Sequence, residues 1–394
     1  MPKVTVILTS YNHAKYLREA IESVLNQTFT DFELIIGDDA STDESWQIIQ
    51  SYTDPRIFAY KHETARQGVI NELVLSGKIS SDYIAIQHSD DIWEPQKLEK
   101  QVPILDENPQ IGAVFTDVYV IGENNEVFEE NTHPYQTVFK QPNRSRYEWL
   151  NYFFNTGNAL CHPSVLIRRA CYEDCGVYRY GLGQLGDFDL WVRLCLKYDI
   201  HILPEKLIRL RIRENEMNAS ANRPDARIRR QFESLQVLDN FRNIVTFDEL
   251  RLIFPTAEKY ARPDDFDAGF VLGMISTESE TSYGNITYLF GLTLLFEALN
   301  DPARSSKIAK LYDFNQQDFF KLSARQDIFS VELLPKLASQ AMQLAEQNQK
   351  ISALAKEKNN VAQMLMEIQG SRAWKLVTAY RDVQARLLSI LKLG

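Results

Sequence analysis

The spacing of apolar residues changes period repeatedly over the first 120 residues. Val4 to Thr9 is a continuous, β-branched run, as expected of a strand buried on both faces. From Ala14 to Asn26, Leu17, Ile21, Val24 and Leu25 recur at helical spacing. Phe32 to Gly37 reads as a second buried strand and Thr42 to Tyr52 as a second helix. Arg56 to Tyr60 and Tyr83 to Gln87 are further short strands, separated by a helical stretch from about Gln67 to Leu75. Pro95 to Leu105 reads as helix and Gly112 to Ile121 as strand. Strands alternating with helices predict βαβ units: an α/β fold with a mostly parallel central sheet flanked by helices. Ligands of such sheets bind beyond the carboxyl ends of the strands.

From about Arg223 onward the pattern is different. Ile228 to Phe241, Asp248 to Phe254 and Tyr288 to Leu299 read as helices with no clear strands between them. Over residues 340–370 a heptad seam appears, with Leu344, Ile351, Lys358 and Leu365 at one position and Gln347, Leu354, Val361 and Ile368 at the other. Such a seam predicts a short coiled coil, and with it a homo-oligomer through residues 344–368, or else a long packed helix. The segment from Ser371 to Leu393 is amphipathic, with Leu376, Tyr380, Val383, Leu387 and Leu391 on one face. It carries Arg372, Lys375, Arg381, Arg386 and Lys392 against one acid, Asp382. Two readings are open: a helix lying on an anionic membrane surface with Trp374 at the interface, or a terminal helix docked on protein. The expected organisation is therefore a catalytic α/β domain over 1–225, a helical domain over 226–338 and a heptad and amphipathic tail over 339–394.

Composition narrows the function. A chain of 394 residues exceeds one ordinary core, and 44% hydrophobic with 24% charged residues is a globular balance. The net charge of −10 argues against nucleic acid as a general partner. It does not argue against a small anionic ligand held through a divalent cation. The apolar run after Lys3 is too short for a signal segment or a membrane span, and so is the stretch Tyr288 to Leu299. Cys161, Cys171, Cys175 and Cys195 form no CxxC pair and no zinc spacing, so buried free thiols in a reducing compartment are expected. Together these predict a cytoplasmic protein, peripheral on the inner membrane face if the terminal helix binds lipid.

The residues after the strands carry the candidate chemistry. The first strand ends in Thr9-Ser10-Tyr11-Asn12, where Tyr11 offers a ring for stacking on a planar base. The second ends in Asp38-Asp39-Ala40-Ser41-Thr42-Asp43. One such residue caps the next helix, but paired acids at a buried strand's end are costly unless they bind something. The strand from Tyr83 ends in His88-Ser89-Asp90-Asp91. Adjacent carboxylates suit a hard divalent cation, which prefers oxygen ligands and shares them with diphosphate. Asp91 also suits the cap of the following helix, with Asp90 left as the ligand.

In order and spacing, V-x-V-I-L-T-S-Y-N, L-x-x-A-I-x-S-V-L-x-Q-T-F, D-F-E-L-I-I-x-D-D-A-S-T-D and Y-I-A-I-x-x-S-D-D-I-W-x-P-x-K-L form a set. The set resembles the family 2 inverting glycosyltransferases of the GT-A fold, and is similar to bacterial spore-coat and surface polysaccharide glycosyltransferases. The resemblance runs from Lys3 to Leu98 and resumes between about Asn155 and Ser220. It implies a nucleotide-diphospho-sugar donor, UDP by default with dTDP and GDP open, and Mn²⁺ or Mg²⁺. The acceptor it implies is a hydroxyl of a glycan, a lipid-linked sugar or a protein. Thr9, Tyr11, Asn12, Asp39, Arg66, Ser89 and Asp90 match donor-binding positions, with Asp90 as the metal ligand. His88 stands where the first acid of the D-x-D motif is usual, which leaves the ribose contact of that acid open.

The same resemblance points to Asn155 through Ile167 as the segment nearing the acceptor, with His162 and Ser164 as contacts. Gly186-Asp187-Phe188-Asp189-Leu190-Trp191 matches E-D-x-D-L-W, with Gly186 in place of the glutamate. It implies that Asp187 is the catalytic base and adds Trp191 as an acceptor contact. An inverting transfer needs one carboxylate to take the proton of the attacking hydroxyl. Asp187 as a mere helix cap and Asp189 as the base are the competing readings. Arg209, Arg211 and Arg213 alternate before Asn215 and Ser220, as on one basic strand face or a loop over diphosphate, and Arg211 is taken as the donor contact. No Gly-rich loop follows the first strand, which disfavours a nucleotidyltransferase or a dinucleotide-binding dehydrogenase. A non-catalytic scaffold with a degenerate site is the alternative that His88 and Gly186 keep open.

Overall fold

A computed structural model describes residues 1–66, 68–213, 223–262 and 265–391. The expected helix start near Gln67, the positions Asn215 and Ser220, and Lys392 to Leu393 of the tail lie outside the described residues. Eight strands are described: β1 (Val4–Ser10), β2 (Phe32–Asp38), β3 (Ile57–Lys61), β4 (Tyr83–His88), β5 (Ile92–Trp93), β6 (Ile111–Ile121), β7 (Leu166–Arg168) and β8 (Asp199–Arg211). They form one sheet in the order β3-β2-β1-β4-β7-β6-β8-β5. The β1–β2, β1–β4, β2–β3 and β6–β8 pairs are parallel. β7 runs antiparallel to both β4 and β6, and β5 antiparallel to β8. The sheet is thus mixed: its left half matches the expected parallel pattern, while two- and three-residue strands reverse direction in the right half.

Burial explains the apolar runs. In β1, Val6 and Leu8 enter one core while Ile7 enters the other, so both faces are covered. The first core packs the helices Ala14–Leu25 and Lys97–Glu107 under the sheet. The second places Trp149, Phe153, Phe188 and Trp191 against the opposite face. At Gly37 a Cβ would lie 2.4 Å from Val69 Cγ1, so glycine lets the helix Val69–Leu75 approach the end of β2. The helix expected from Thr42 begins only at Ser45. Thr42 and Asp43 are used to tie the preceding loop: the Thr42 amide donates to Asn12 Oδ1 at 2.8 Å, and Asp43 accepts from the Ala14 and Ser45 amides.

Beyond Pro224 the chain is helical, as its pattern predicts. Those helices do not build a separate core: Phe241, Phe254, Phe270 and Phe290 belong to the same cluster as Trp149 and Trp191. The helices Ala268–Glu278 and Asn285–Asn300 meet where a Cβ on Gly291 would fall 2.7 Å from the Gly273 carbonyl. The compact units are accordingly Met1–Gln326 and Asp327–Gly394, and the boundaries expected at 225/226 and 338/339 do not coincide with them. The second unit contains the helices Leu333–Gly370 and Arg372–Leu391. The heptad positions 344–368 fall within the first of these, and their side chains are exposed. Among the described residues, no helix is long and apolar enough to cross a membrane. All four cysteines are free, three of them buried.

Candidate active site

Strand register brings the polar strand ends together. Thr9 of β1 pairs with Gly37 of β2 and with His88 of β4, so Ser10-Tyr11, Asp38-Asp39 and His88-Asp91 leave the sheet along one edge. They open into a cleft of about 1040 Å³, closed on the other side by Asn158, His162 and the start of the helix Gly186–Cys195.

Three pairs of acids stand around this cleft, and each pair divides its work. Asp38 is fully buried and accepts from the Ser41 amide at 2.9 Å, whereas Asp39 faces the cleft. Asp39 is held there by the Arg66 amide at 2.9 Å and by His62 Nδ1 at 2.9 Å. Asp91 accepts from the Arg211 amide at 2.9 Å and lies 3.4 Å from His88 Nδ1. Asp90 is turned the other way, with Oδ2 3.2 Å from Arg213 Nε. On the helix, Asp189 is fully buried and shared by Arg179, Arg193 and Asn240, the last two at 2.9 and 2.8 Å. Asp187 lines the cleft, accepting from Asn158 Nδ2 at 3.1 Å and from the Phe188 amide at 2.7 Å.

The electrostatics follow from these surroundings. Burial pushes the Asp187 carboxyl up to about 6, against the opposing pull of the Phe188 amide, the Asn158 amide and His88. His88 donates to or accepts from His162 Nδ1 at 3.0 Å, and His162 Nε2 reaches Tyr178 Oη at 2.8 Å. Burial alone would lower His88, but Asp91, with Asp90 and Asp187, raises it above the usual histidine value. His162, buried and beside His88, is pushed well below its usual value. His88, Asp90 and Asp91 each offer a ligand atom, all within 4.8 Å of one another, a donor set able to hold a divalent cation.

The other residues expected at the site divide between the cleft and its supports. Tyr11 is exposed at the cleft mouth, 51% accessible, free to present its ring. Thr9 and Ser89 line the cleft, and Ser89 Oγ is 2.7 Å from His13 Nδ1. Asn12 adopts φ 53° and its side chain braces Thr42, so it ties the β1 and β2 loops together. Arg66 contributes its backbone amide to Asp39, with its side chain exposed. Arg211 is 1% accessible and its guanidinium is taken up by the carbonyls of Asp90 and Gly122 and by Asn125 and Glu19. Because β8 ends at Arg211, it is Arg213, two residues on, that reaches Asp90 and His13. Ser164 is fully buried, donating to the Cys161 carbonyl and accepting from the Thr116 amide. Trp191 is equally buried, edge-on to Phe115 at 4.8 Å. Neither offers an acceptor contact; both hold the wall that carries His162 and Asp187.

The family described as Glycosyl transferase family 2 matches residues 5–174, which hold both strand-end acid pairs. An uncharacterized glycosyltransferase of Methanocaldococcus jannaschii is 32% identical over 222 residues, 54% of this chain and 71% of the relative. This chain belongs to glycosyl transferase family 2. The O-antigen biosynthesis glycosyltransferase WbnJ of Escherichia coli is 30% identical over 225 residues, covering 55% of the chain and 83% of the relative. S. aureus TarS 1–349, solved with UDP-GlcNAc, is 18% identical with a TM-score of 0.46, covering 79% of this chain and 88% of that one. The family 2 chain is thus a glycosyltransferase, and its mixed sheet, helices and carboxyl-edge cleft form a GT-A-like fold.

Reading the motifs alone does not single out His13, Asn158 or Tyr178 in this glycosyltransferase. His13 follows T-S-Y-N directly and Asn158 sits inside the N-T-G-N run, so both lie on segments the motifs mark. Tyr178 carries no sequence signal; only the chain of contacts through His162 reveals it.

Proposed function

We propose that this glycosyltransferase moves a sugar from a nucleoside diphosphate donor to an acceptor hydroxyl with inversion, Asp187 acting as general base and Asp90 holding a divalent cation. The observation that carries this reading is the placement of Asp187: a carboxylate on the cleft wall, tuned upward, with only a neutral amide side chain as partner. Asp189, the competing base, has its oxygens occupied by arginines and an asparagine and does not line the cleft. Tyr11 at the mouth offers a stacking face for a base, and Asp39, fixed by the Arg66 amide and His62, an acceptor for its N–H groups. UDP is the default base from the family resemblance.

The oxygen-rich set of Asp90 and Asp91 with His88 fits Mn²⁺ or Mg²⁺, with Asp90 the ligand turned toward Arg213. A cation bound there supplies positive charge against the departing diphosphate. The chain's own residues do the rest. Asp187 accepts the proton of the attacking hydroxyl, and the Asn158 amide keeps its carboxylate oriented. As the acceptor oxygen bonds to the anomeric carbon, the bond to the diphosphate oxygen breaks on the opposite face, and the nucleoside diphosphate leaves as an anion. A polysaccharide or glycoconjugate hydroxyl is the acceptor class we favour.

The test is titration of nucleoside diphosphate in the presence of Mn²⁺, with release of nucleoside diphosphate from nucleotide sugars measured alongside. Asp90→Ala is expected to abolish the Mn²⁺-dependent part of binding. An unchanged titration would remove the metal role from Asp90. Absence of nucleoside diphosphate release from any nucleotide sugar by the unaltered chain would leave the scaffold reading in its place.

A further inference from the structure

The helix Arg372–Leu391 is not used by the cleft chemistry, and its faces are sharply divided. At 3.6 residues per turn, Leu376, Val377, Tyr380, Val383, Leu387 and Leu388 fall within an arc of about 140°. All six are at least half exposed. Arg381 borders this arc on one side and Arg372 on the other, while Arg386, Lys375 and the one acid, Asp382, lie toward the far face. The helix carries net +3 in a chain of net −10.

We propose that this helix lies flat on an anionic lipid surface, its apolar arc sunk among the acyl chains and its flanking basic residues on the headgroup phosphates. Three observations favour lipid over a second copy of the chain. The arc is wider than a coiled-coil seam, because it includes the adjacent pairs Leu376-Val377 and Leu387-Leu388. Pairing two such helices would bring Arg372 and Arg381, at the edges of the arc, against one another with Asp382 turned away from the contact; anionic headgroups neutralise them instead. Trp374 and Tyr380 place amphipathic rings along the helix, as interfacial segments do, and long basic side chains reach outward from a buried stem. The helix is also not apolar enough to cross the bilayer. The acidic remainder of the chain is repelled by such a surface, so attachment through this one basic helix will be strongly salt-dependent.

Flotation of the full chain with vesicles of phosphatidylcholine alone, or mixed with phosphatidylglycerol, tests this. We expect at least about tenfold stronger binding to the anionic vesicles at low salt, falling as salt rises. The double substitution Leu376→Glu with Leu387→Glu should abolish binding, and Arg381→Glu with Arg386→Glu should weaken it mainly at low salt. Tryptophan fluorescence quenched by brominated lipid in the unaltered chain, and lost in Trp374→Phe, would place the helix at the acyl boundary. Equal binding to both vesicle types, or binding that survives the Leu376→Glu, Leu387→Glu change, overturns the proposal. So does sedimentation in which that same change turns an oligomer into a monomer, since the face would then belong to a second copy.

Discussion

The strand-end side of the cleft and the helix side solve opposite problems with the same residue. On the strand side, Asp39 and Asp90 face the cleft with charged or hydrogen-bonding partners close by: His62 and the Arg66 amide for one, Arg213 for the other. On the helix side, Asp187 has the Asn158 amide and its own helix's N–H, and burial holds it up to about 6. A carboxylate surrounded by donors is held in place and serves as a binding group. One left in a dry wall with a neutral partner keeps its affinity for a proton, which is what a base needs. Within the helix the contrast repeats two residues on, where Asp189 is consumed by Arg179, Arg193 and Asn240.

The sharpest way to break this comparison is to treat Asp187 and Asp189 alike. Asp189→Ala strips a buried anion from two arginines, and we expect a loss of about 3 kcal/mol in unfolding free energy, read by denaturant titration. Asp187→Asn should do the reverse. Because the fold disfavours the ionised form, Asp187 lowers stability progressively as pH rises from its unfolded value near 4 through about 6, and that cost persists above. The asparagine variant is therefore expected to be at least as stable as the parent at pH 8, while its transfer rate falls by roughly 10²-fold or more. In the parent, kcat/KM should rise with pH through a limb near 6 that the variant lacks. Equal destabilisation by both changes, or a surviving limb, would dissolve the distinction.

Much of this was legible in the sequence, and the part that was not has a physical reason. β1, β2, β4 and β6 announce themselves because strands buried on both faces must be apolar throughout. β5 and β7 do not, since two or three residues hold no period; their direction is set by partners far along the chain, Arg209 with Ile92 and Leu166 with Ala85. The acid pairs were visible as pairs, but how each member is held depends on which backbone amides and arginines arrive from elsewhere. Ser164 and Trp191 sit beside readable site residues and yet point into the core, a half-turn difference no motif encodes. Alternating arginines suggested one basic face, but β8 stops at Arg211, so neighbouring positions of the same alternation meet a buried brace and an open carboxylate.

That last divergence gives the finest test of how the strand side is kept charged. Arg213 Nε sits 3.2 Å from Asp90 Oδ2, and both side chains are largely buried. A cation held through Asp90 Oδ2 would displace the guanidinium and leave it available to the donor's diphosphate. Cation and donor should therefore bind each other's form of the protein more tightly, with Arg213 as the exchanged charge. In Arg213→Ala, Mn²⁺ without donor is expected to bind about fivefold or more tightly, while nucleoside diphosphate with saturating Mn²⁺ binds more weakly. Calorimetric titration of each ligand with and without the other reads both terms. If Mn²⁺ affinity in the variant is unchanged or lower, the Arg213–Asp90 pair does not compete with the cation.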